Sequence, residues 1–274
     1  MHKVNLKSNS IVNIIIYYEN EDEIINYAKE LTKQNDSIKL VIVVNKIGKK
    51  GINYINDLLT ILEIEFEIFN PGRNIGYLNG LIYGYKKTSF SSEWYILSNT
   101  DICIKDECFM KKCREEVEFK NDKVWLIGPS ILAPKLEKYS NPYFSVRPSK
   151  AFYQSRIWAM KFPILFNTLF NLKSKIRSVK MKKIQSGYVY AVHGSFMFLR
   201  KELLDILSIN KEWELLYDEE QYIAEIVRKN NHNVYYCSGV EILHMEGTST
   251  GKVSIRKKAK LMIKANRRML KEFY

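Results

Sequence analysis

Residues 96–104 read ILSNTDICI, and this stretch places a carboxamide and a carboxylate, Asn99 and Asp101, two positions apart inside an otherwise apolar pattern. Carboxamide and carboxylate oxygens accept hydrogen bonds, and hard divalent cations prefer such oxygens as ligands. A polar turn at the end of a strand uses the same residue types. Taken alone, the stretch therefore indicates either a ligand-binding strand end or an ordinary turn, and the rest of the sequence has to decide between them.

Two carboxylates and one imidazole elsewhere in the chain are also candidates for chemistry. Glu219 and Glu220 precede apolar residues at helical spacing, so both are predicted in the first turn of a helix, whose N-terminus favours an ionised carboxylate. Asp218, followed by Gln221 three positions later, resembles a capping box. Acidic first-turn residues also occur without a catalytic role. His244 ends an apolar strand pattern, and a lone histidine more often packs or faces solvent than binds a ligand.

The elements that must position these residues alternate in the first half of the chain. Four strand-like runs are separated by helical patterns: IVNIIIYY, KLVIVVN, FEIFN and EWYILSN. Strands separated by helices of about ten residues predict crossover units and a largely parallel sheet covered on both faces. In the second half, strands are predicted in VWLIGPSILAP, YVYAV, SFMFL and NVYYCSGVEILH.

In an open parallel sheet, ligands bind beyond the carboxyl ends of the strands. Polar residues close each of the first four predicted strands, and we predict that they converge on one nucleotide-binding crevice. In chain order these residues are Tyr17, Tyr18, Glu19, Asn45, Arg73, Asn74, Gly76, Asn99 and Asp101.

The net charge of +13 is concentrated in two segments that contain no acidic residue. Residues 138–201 contain 13 Lys and Arg, and residues 252–271 contain nine more. Because these 22 cations exceed the net charge, the rest of the chain carries a net charge of −9. The sequence therefore predicts a mildly acidic domain that bears two basic segments.

Composition sets the broad class of protein. With 274 residues, 46% of them hydrophobic, the chain can bury a core as one globular domain. Its four cysteines lack the short pairwise spacing of a zinc site, which favours reduced thiols and a cytoplasmic location. The apolar run IVNIIIYYEN is too short to span a membrane and is predicted to be the first strand.

The order of these pieces resembles a family 2 glycosyltransferase with the GT-A fold, particularly the branch of rhamnosyltransferases and related polysaccharide-assembly enzymes. The resemblance runs over roughly residues 11–250. GRNIGYLNGLIYG resembles the Asn-Leu-Gly-aromatic segment, LSNTDICI stands in the place of the metal-binding Asp-x-Asp, and HGSFMFLRKELL resembles the stretch before the acceptor site. DEEQYIAEIVRKNNHNVYY resembles the Glu-Asp helix, and LHMEGTST the terminal His and hydroxyl pair. The chain departs from the family pattern at Asn45, Asn99 and Glu220.

The resemblance implies an inverting transfer of a sugar from a dTDP-, UDP- or GDP-linked donor to a saccharide acceptor, with Mg²⁺ or Mn²⁺ as cofactor. Asp101 and His244 would hold the metal, the polar strand ends would bind the donor, and Gly194 and Tyr222 would lie on the acceptor side. Glu220 would take the proton of the acceptor hydroxyl, with Glu219 in support. Residues 1–251 would form the GT-A domain, divided near residue 104 into donor and acceptor halves, and residues 252–274 a basic helix.

The basic segment 138–201 mixes Trp158, Phe162, Phe166 and Phe170 with Lys and Arg. This pattern suits an interfacial element on anionic lipid, which would fit a lipid-linked acceptor and attachment to the inner face of the plasma membrane. A solvated basic face over a hydrophobic patch explains it equally well.

Two other functions remain as alternatives. A sequence pI of about 9.3 invites nucleic-acid binding, although no recognised nucleic-acid motif accompanies the charge, so no nucleic acid is expected as partner. A sugar-phosphate nucleotidyltransferase would need a Gly-rich, Arg-containing loop after the first strand, and YYENEDE contains no glycine.

Overall fold

The computed structural model describes residues 11–162, 183–245 and 254–274. Ten strands are present in this part of the chain: β1 (Ile11–Tyr18), β2 (Ile38–Lys46), β3 (Phe66–Phe69), β4 (Trp94–Ser98), β5 (Ile102–Cys103), β6 (Val124–Ala133), β7 (Lys138–Tyr139), β8 (Gly187–Val189), β9 (Phe196–Arg200) and β10 (Asn233–His244). The helices are α1 (Glu21–Thr32), α2 (Gly51–Ile61), α3 (Tyr77–Lys87), α4 (Phe109–Glu115), α5 (Lys150–Ala159), α6 (Lys201–Ile209), α7 (Glu219–Lys229) and α8 (Ile255–Phe273).

All ten strands belong to one sheet with the order β3-β2-β1-β4-β9-β6-β10-β5, with β7 beside β6 and β8 beside β10. The strands β1, β2, β3, β4, β6 and β10 point in one direction, and β9 and the three short strands run against them. The predicted α/β fold with a mostly parallel central sheet is therefore confirmed. The antiparallel strand β9, which joins the two parallel groups, was not anticipated as such.

Apolar side chains pack on both faces of the sheet, because alternate residues of each strand point to opposite sides. In β1, Ile15 and Tyr17 pack into the cluster under α1, α2 and α4, whereas Val12 and Ile14 pack into the cluster under α3, α6 and α7. This two-sided burial explains why β1 and β2 are continuous apolar runs in the sequence.

The helix α1 shows how local sequence places an element. Its N-cap is Asn20, whose side chain accepts a hydrogen bond from the amide of Glu23, and acidic residues fill its first turn. Its buried face, which includes Ile24 and Leu31, packs on the sheet. The helix therefore begins at the carboxyl end of β1, which is the edge where the polar strand ends were predicted to meet.

In the part of the chain that the structure describes, no helix has both the length and the apolar character needed to cross a bilayer. All four cysteines are free thiols, as predicted. Phe166, Phe170 and the remainder of residues 163–182 lie outside the described residues. Within the basic stretch 138–201, Phe196–Arg200 forms the central strand β9.

Candidate active site

A cavity of about 370 Å³ opens at the carboxyl ends of β1 and β4. The strands β2 and β3 lie on one side of β1, and the next strand along the chain, β4, pairs with the other side of β1. The cavity therefore lies where the strand order reverses. Its volume falls within the range of roughly 300–1,000 Å³ typical of small-molecule sites. Nine residues proposed for the site from the sequence line this cavity: Tyr18, Asn45, Asn74, Gly76, Asn99, Asp101, Gly194, Glu219 and Glu220.

A buried polar cluster beneath the cavity fixes the end of β4. Asn13 Nδ2 donates to Ser98 Oγ at 3.0 Å, and the hydroxyl of Tyr27 donates to Asn13 Oδ1 at 2.8 Å. These three side chains join β1, β4 and α1, and a buried polar network of this kind favours one arrangement because an unpaired member would be costly. Immediately beyond it, the amide of Asn99 donates to the carbonyl oxygen of Ser195 at 2.9 Å.

Asp101, which lines the cavity, lies beside His244. The Nε2 atom of His244 lies 3.2 Å from Oδ1 of Asp101, and the amide of Met245 donates to the Asp101 carbonyl oxygen at 2.9 Å. Burial raises the pKa of the neighbouring Glu23, and the charge of Asp101 adds to this while a hydrogen bond from Thr100 opposes it. The local negative charge therefore favours a cation.

The pair Asp101 and His244 fits a divalent metal ion bound partly by the protein and partly by a ligand. No group of three or more His, Cys, Asp or Glu side chains suited to a metal occurs within the described ranges. Mg²⁺ and similar ions commonly take one or two carboxylates and complete their shell with waters and substrate phosphates. A two-residue protein contribution is therefore compatible with a metal that binds together with a phosphorylated ligand.

The second predicted strand ends in Asn45, which holds the loop after β3. Its Nδ2 donates to the carbonyl oxygen of Gly76 at 2.8 Å, and its Oδ1 accepts from the amide of Ile75 at 3.3 Å. Gly76 has a φ of 92°, and a Cβ atom there would lie 2.7 Å from the carbonyl oxygen of Leu215. Both the backbone conformation and the close approach therefore require glycine, and Asn45 shapes this side of the cavity through the loop.

Glu219 and Glu220 occupy the first turn of α7, as predicted. Oε1 of Glu220 accepts a hydrogen bond from the amide of Gly194 at 3.2 Å, so this carboxylate is held against the turn before β9. Burial and the neighbouring Glu220 raise the pKa of Glu219 to about 8. Burial also raises the pKa of Glu220, whereas the hydrogen bond from the Gly194 amide lowers it in part. Two carboxylates so placed disfavour double ionisation and retain a proton near neutral pH.

The capping box predicted at Asp218 is wrong. Asp218 is the N-cap of α7, but its side chain makes no hydrogen bond to the helix backbone. Its carboxylate instead accepts from Arg156 Nη1 at 3.0 Å and from Asn266 Nδ2 at 2.8 Å, two residues on α5 and α8. Tyr217 and Asp218 have φ values of 80° and 60°, so two consecutive left-handed residues precede the carboxylate pair. The contacts from α5 and α8 hold this strained turn.

The residues that line the cavity also include His193, Tyr77 and Lys257, which are not among the site residues predicted from the sequence. His193 Nδ1 accepts a hydrogen bond from the amide of Ser195 at 3.1 Å. The proton of the neutral imidazole therefore lies on Nε2. Burial and the nearby His244 lower the pKa of His193 to about 3. His193 is therefore a neutral hydrogen-bond donor at the cavity. The dipeptide His193-Gly194 before a strand was its only sequence signal.

Five predicted site residues are not among those that line the cavity: Tyr17, Glu19, Arg73, Tyr222 and His244, the last of which lies beside Asp101. Tyr17 is buried, with its hydroxyl donating to Glu21 Oε1 at 2.6 Å, and Tyr222 stacks on Trp213 with ring centroids 4.2 Å apart. Arg73 is exposed. Glu19 forms an ion pair with Lys46. Thr248 and Ser249, which are the hydroxyl pair of the LHMEGTST segment, lie outside the described residues.

Comparisons with known proteins place the fold. No protein-family model matches the sequence. No curated protein matches it either. Solved structures do match. The chain is similar to the mannosyltransferase PcManGT from Pyrobaculum calidifontis in complex with GDP-Man and Mn²⁺. The TM-score is 0.53 and the sequence identity is 10%, over 87% of this chain and 57% of that chain.

Two further solved structures are similar. GalNAc-T7 with UDP, GalNAc and Mn²⁺ matches with a TM-score of 0.63 and 10% identity, over 93% of this chain and 48% of that chain. S. aureus TarS 1–349 in complex with UDP-GlcNAc matches with a TM-score of 0.57 and 12% identity, over 94% and 66%. The chain thus spans about half to two thirds of the length of these proteins. The fold is that of the GT-A glycosyltransferases, as the motif order predicted.

Proposed function

We propose that this protein is an inverting glycosyltransferase that moves a sugar from a nucleoside diphosphate donor to a saccharide acceptor. The observation that carries the proposal is the meeting of two groups in one cavity. Asn99 and Asp101, with His244 beside them, lie at the carboxyl end of β4, and Glu219 and Glu220 lie at the start of α7. A donor-binding group and a carboxylate pair that share one cavity are the two parts that such a reaction requires.

The donor would bind across the ends of β1 and β4. Tyr18, Asn45 and Asn74 border the cavity on this side, where a nucleoside would lie. Asp101 and His244 would hold a divalent ion, which when bound neutralises charge on the departing diphosphate. The nucleotide ligands and Mn²⁺ of the structural neighbours support this choice of donor and cofactor.

The carboxylate pair would supply the base. The acceptor hydroxyl oxygen forms a bond to the anomeric carbon, the bond from that carbon to the diphosphate oxygen breaks, and the nucleoside diphosphate leaves with the electron pair. Glu220 takes the hydroxyl proton, and the amide of Gly194 holds its carboxylate in place. Glu219 shares the proton equilibrium of the pair and supports Glu220.

The acceptor is proposed to be lipid-linked, in the polysaccharide-assembly branch that the sequence resembles. Trp158 and Phe162 are 67% and 55% exposed, and their ring centroids lie 5.8 Å apart at the end of α5. Arg156, two positions before Trp158, contacts Asp218 next to the carboxylate pair. An aromatic surface on the helix that borders the proposed base suits an acceptor presented at a membrane surface.

A thermal-shift panel of UDP, dTDP and GDP and their sugars, with and without Mn²⁺, tests the proposal. A ligand that binds only the folded state raises the apparent melting temperature by mass action, so one nucleotide series should stabilise the protein, and more so with Mn²⁺. That series is then assayed for transfer to lipid-linked saccharides. Absence of any nucleotide effect, with salt-sensitive binding of RNA or DNA, would favour the nucleic-acid alternative. Release of pyrophosphate from a nucleoside triphosphate would favour a nucleotidyltransferase.

A further inference from the structure

The charges around the cavity are unbalanced for a ligand that carries a diphosphate. Four acidic side chains line it: Glu23, Asp101, Glu219 and Glu220. Among the described residues that line it, Lys257 is the one Lys or Arg. Like charges repel an incoming anion most strongly where water is partly excluded, so the position of this ammonium group matters for binding.

Lys257 belongs to α8, whose orientation is fixed by contacts further along the helix. Lys257, Leu261, Lys264 and Arg268 recur at spacings of four, three and four residues, and so they share one face of the helix. Lys257 and Leu261 line the cavity, and the other two residues anchor the same face.

The anchoring contacts reach the segment just before α7. Lys264 Nζ lies 2.7 Å from Oε2 of Glu214. The guanidinium of Arg268 lies 4.5 Å from the ring centroid of Trp213 and also donates to the carbonyl oxygen of Glu212. Because this face is held at two points, Lys257 and Leu261 form part of the cavity wall.

We propose that Lys257 binds the diphosphate of the nucleotide donor and that α8 is thereby a component of the donor site. This inference rests on the proposed glycosyltransferase function and adds a specific residue to it. An ammonium group donates charge-assisted hydrogen bonds to phosphate oxygens, and it offsets the repulsion between the diphosphate and the acidic side chains that line the cavity. The basic character of residues 252–271 then serves ligand binding at Lys257 in addition to any contact with a surface.

The test compares Lys257→Gln, Lys257→Arg and a matched control, Lys260→Gln. Lys260 is an exposed lysine of the same helix that is not among the residues lining the cavity, so its loss changes the net charge equally. Affinities for the nucleoside, monophosphate and diphosphate of the uridine, thymidine and guanosine series are measured by calorimetry with Mg²⁺ at about 0.15 M salt, where distant charges are screened.

Lys257→Gln should weaken diphosphate binding by about 10- to 100-fold and leave nucleoside binding unchanged. Lys257→Arg should retain most of the affinity, and Lys260→Gln should behave as wild type. Diphosphate affinity in Lys257→Gln equal to that of wild type overturns the inference and leaves the proposed function standing. Normal diphosphate affinity combined with a raised KM for an anionic acceptor overturns it too, and assigns Lys257 to the acceptor. Failure of the wild-type protein to bind any nucleoside diphosphate overturns the proposed function and the inference together.

Discussion

The amide of Gly194 and the carboxylate of Glu220 are joined by a hydrogen bond of 3.2 Å across 26 positions of sequence. A Cβ atom built on Gly194 would lie 2.8 Å from Oε1 of Glu220 and 3.3 Å from its Cδ. The absence of a side chain at Gly194 is therefore what allows the proposed base to lie against the turn before β9.

Gly194→Ala should displace the Glu220 carboxylate without unfolding the protein, because the atom that must move is the end of a flexible side chain. Misplacement of a catalytic group by about 1 Å can cost 10²-fold, so we expect turnover to fall about 10- to 100-fold with donor affinity retained. Gly187→Ala is the matched control, since a Cβ atom there meets nothing within 4 Å. Equal activity of the two variants would separate Gly194 from catalysis.

Glu220→Gln keeps the size of the side chain but cannot accept the proton of the acceptor. Turnover should fall by about 10² to 10⁴, while calorimetry should show donor affinity near that of wild type. Glu219→Gln should cost less if Glu219 only supports the pair. A larger loss in Glu219→Gln than in Glu220→Gln would transfer the role of base to Glu219, and normal transfer by both variants would remove the mechanism.

Much of the fold could be predicted from local patterns, because each of β1, β2, β3 and β4 is bounded by helical or turn-forming sequence. The position of β9 could not be predicted in this way. Its sequence FMFLR is buried at every residue and fits either strand direction, and its partners β4 and β6 are chosen by contacts that are distant in the sequence.

The candidate site shows the same limit. Spacing alone suggested a capping box at Asp218, but the carboxylate is taken by Arg156, which lies 62 positions away, and by Asn266, which lies 48 positions away. In the sequence, Lys257 is one cation of a basic run, and no local pattern indicates which face of α8 meets the cavity. Conversely, Asn99 and Asp101 could be placed because strand ends of a parallel sheet share an edge.

Glu219→Gln should change how stability depends on pH. The pKa of Glu219 is raised from the ordinary value of 4.5 to about 8, so the folded state binds this proton more tightly than the unfolded state. The resulting stabilisation is complete below about pH 4.5 and is lost as the pH rises to about 8. Wild type should therefore lose stability between these pH values, and the variant, which lacks this carboxyl group, should not. The difference in melting temperature, variant minus wild type, should increase over this interval by roughly 5 °C or more. A difference that stays constant across this interval would show that Glu219 titrates at its ordinary pKa.

Trp158→Ser combined with Phe162→Ser should reduce flotation of the protein with anionic liposomes several-fold, and added salt should do the same, since apolar insertion and charge attraction act together. Ile61→Ser combined with Ile209→Ser is the control, because these side chains are 73% and 84% exposed and lie on other helices. If the wild-type protein does not float, or if both double variants lose flotation equally, the aromatic surface of α5 is not the membrane contact.

Asp101→Asn should weaken metal-dependent nucleotide binding while the fold is kept. The carboxamide retains the size of the side chain, but it removes the charge that lies 3.2 Å from His244 Nε2 and with it the preferred oxygen ligand of a hard cation. We expect the gain in diphosphate affinity on adding Mn²⁺ to shrink at least about tenfold, whereas affinity measured without metal should change little. Asp122→Asn provides the control, because its side chain is 96% exposed and is not among the residues lining the cavity. Calorimetric titrations of both variants, with and without Mn²⁺, decide the point: an undiminished Mn²⁺ effect in Asp101→Asn would place the metal on other residues and leave Asp101 as a hydrogen-bonding partner of the strand end.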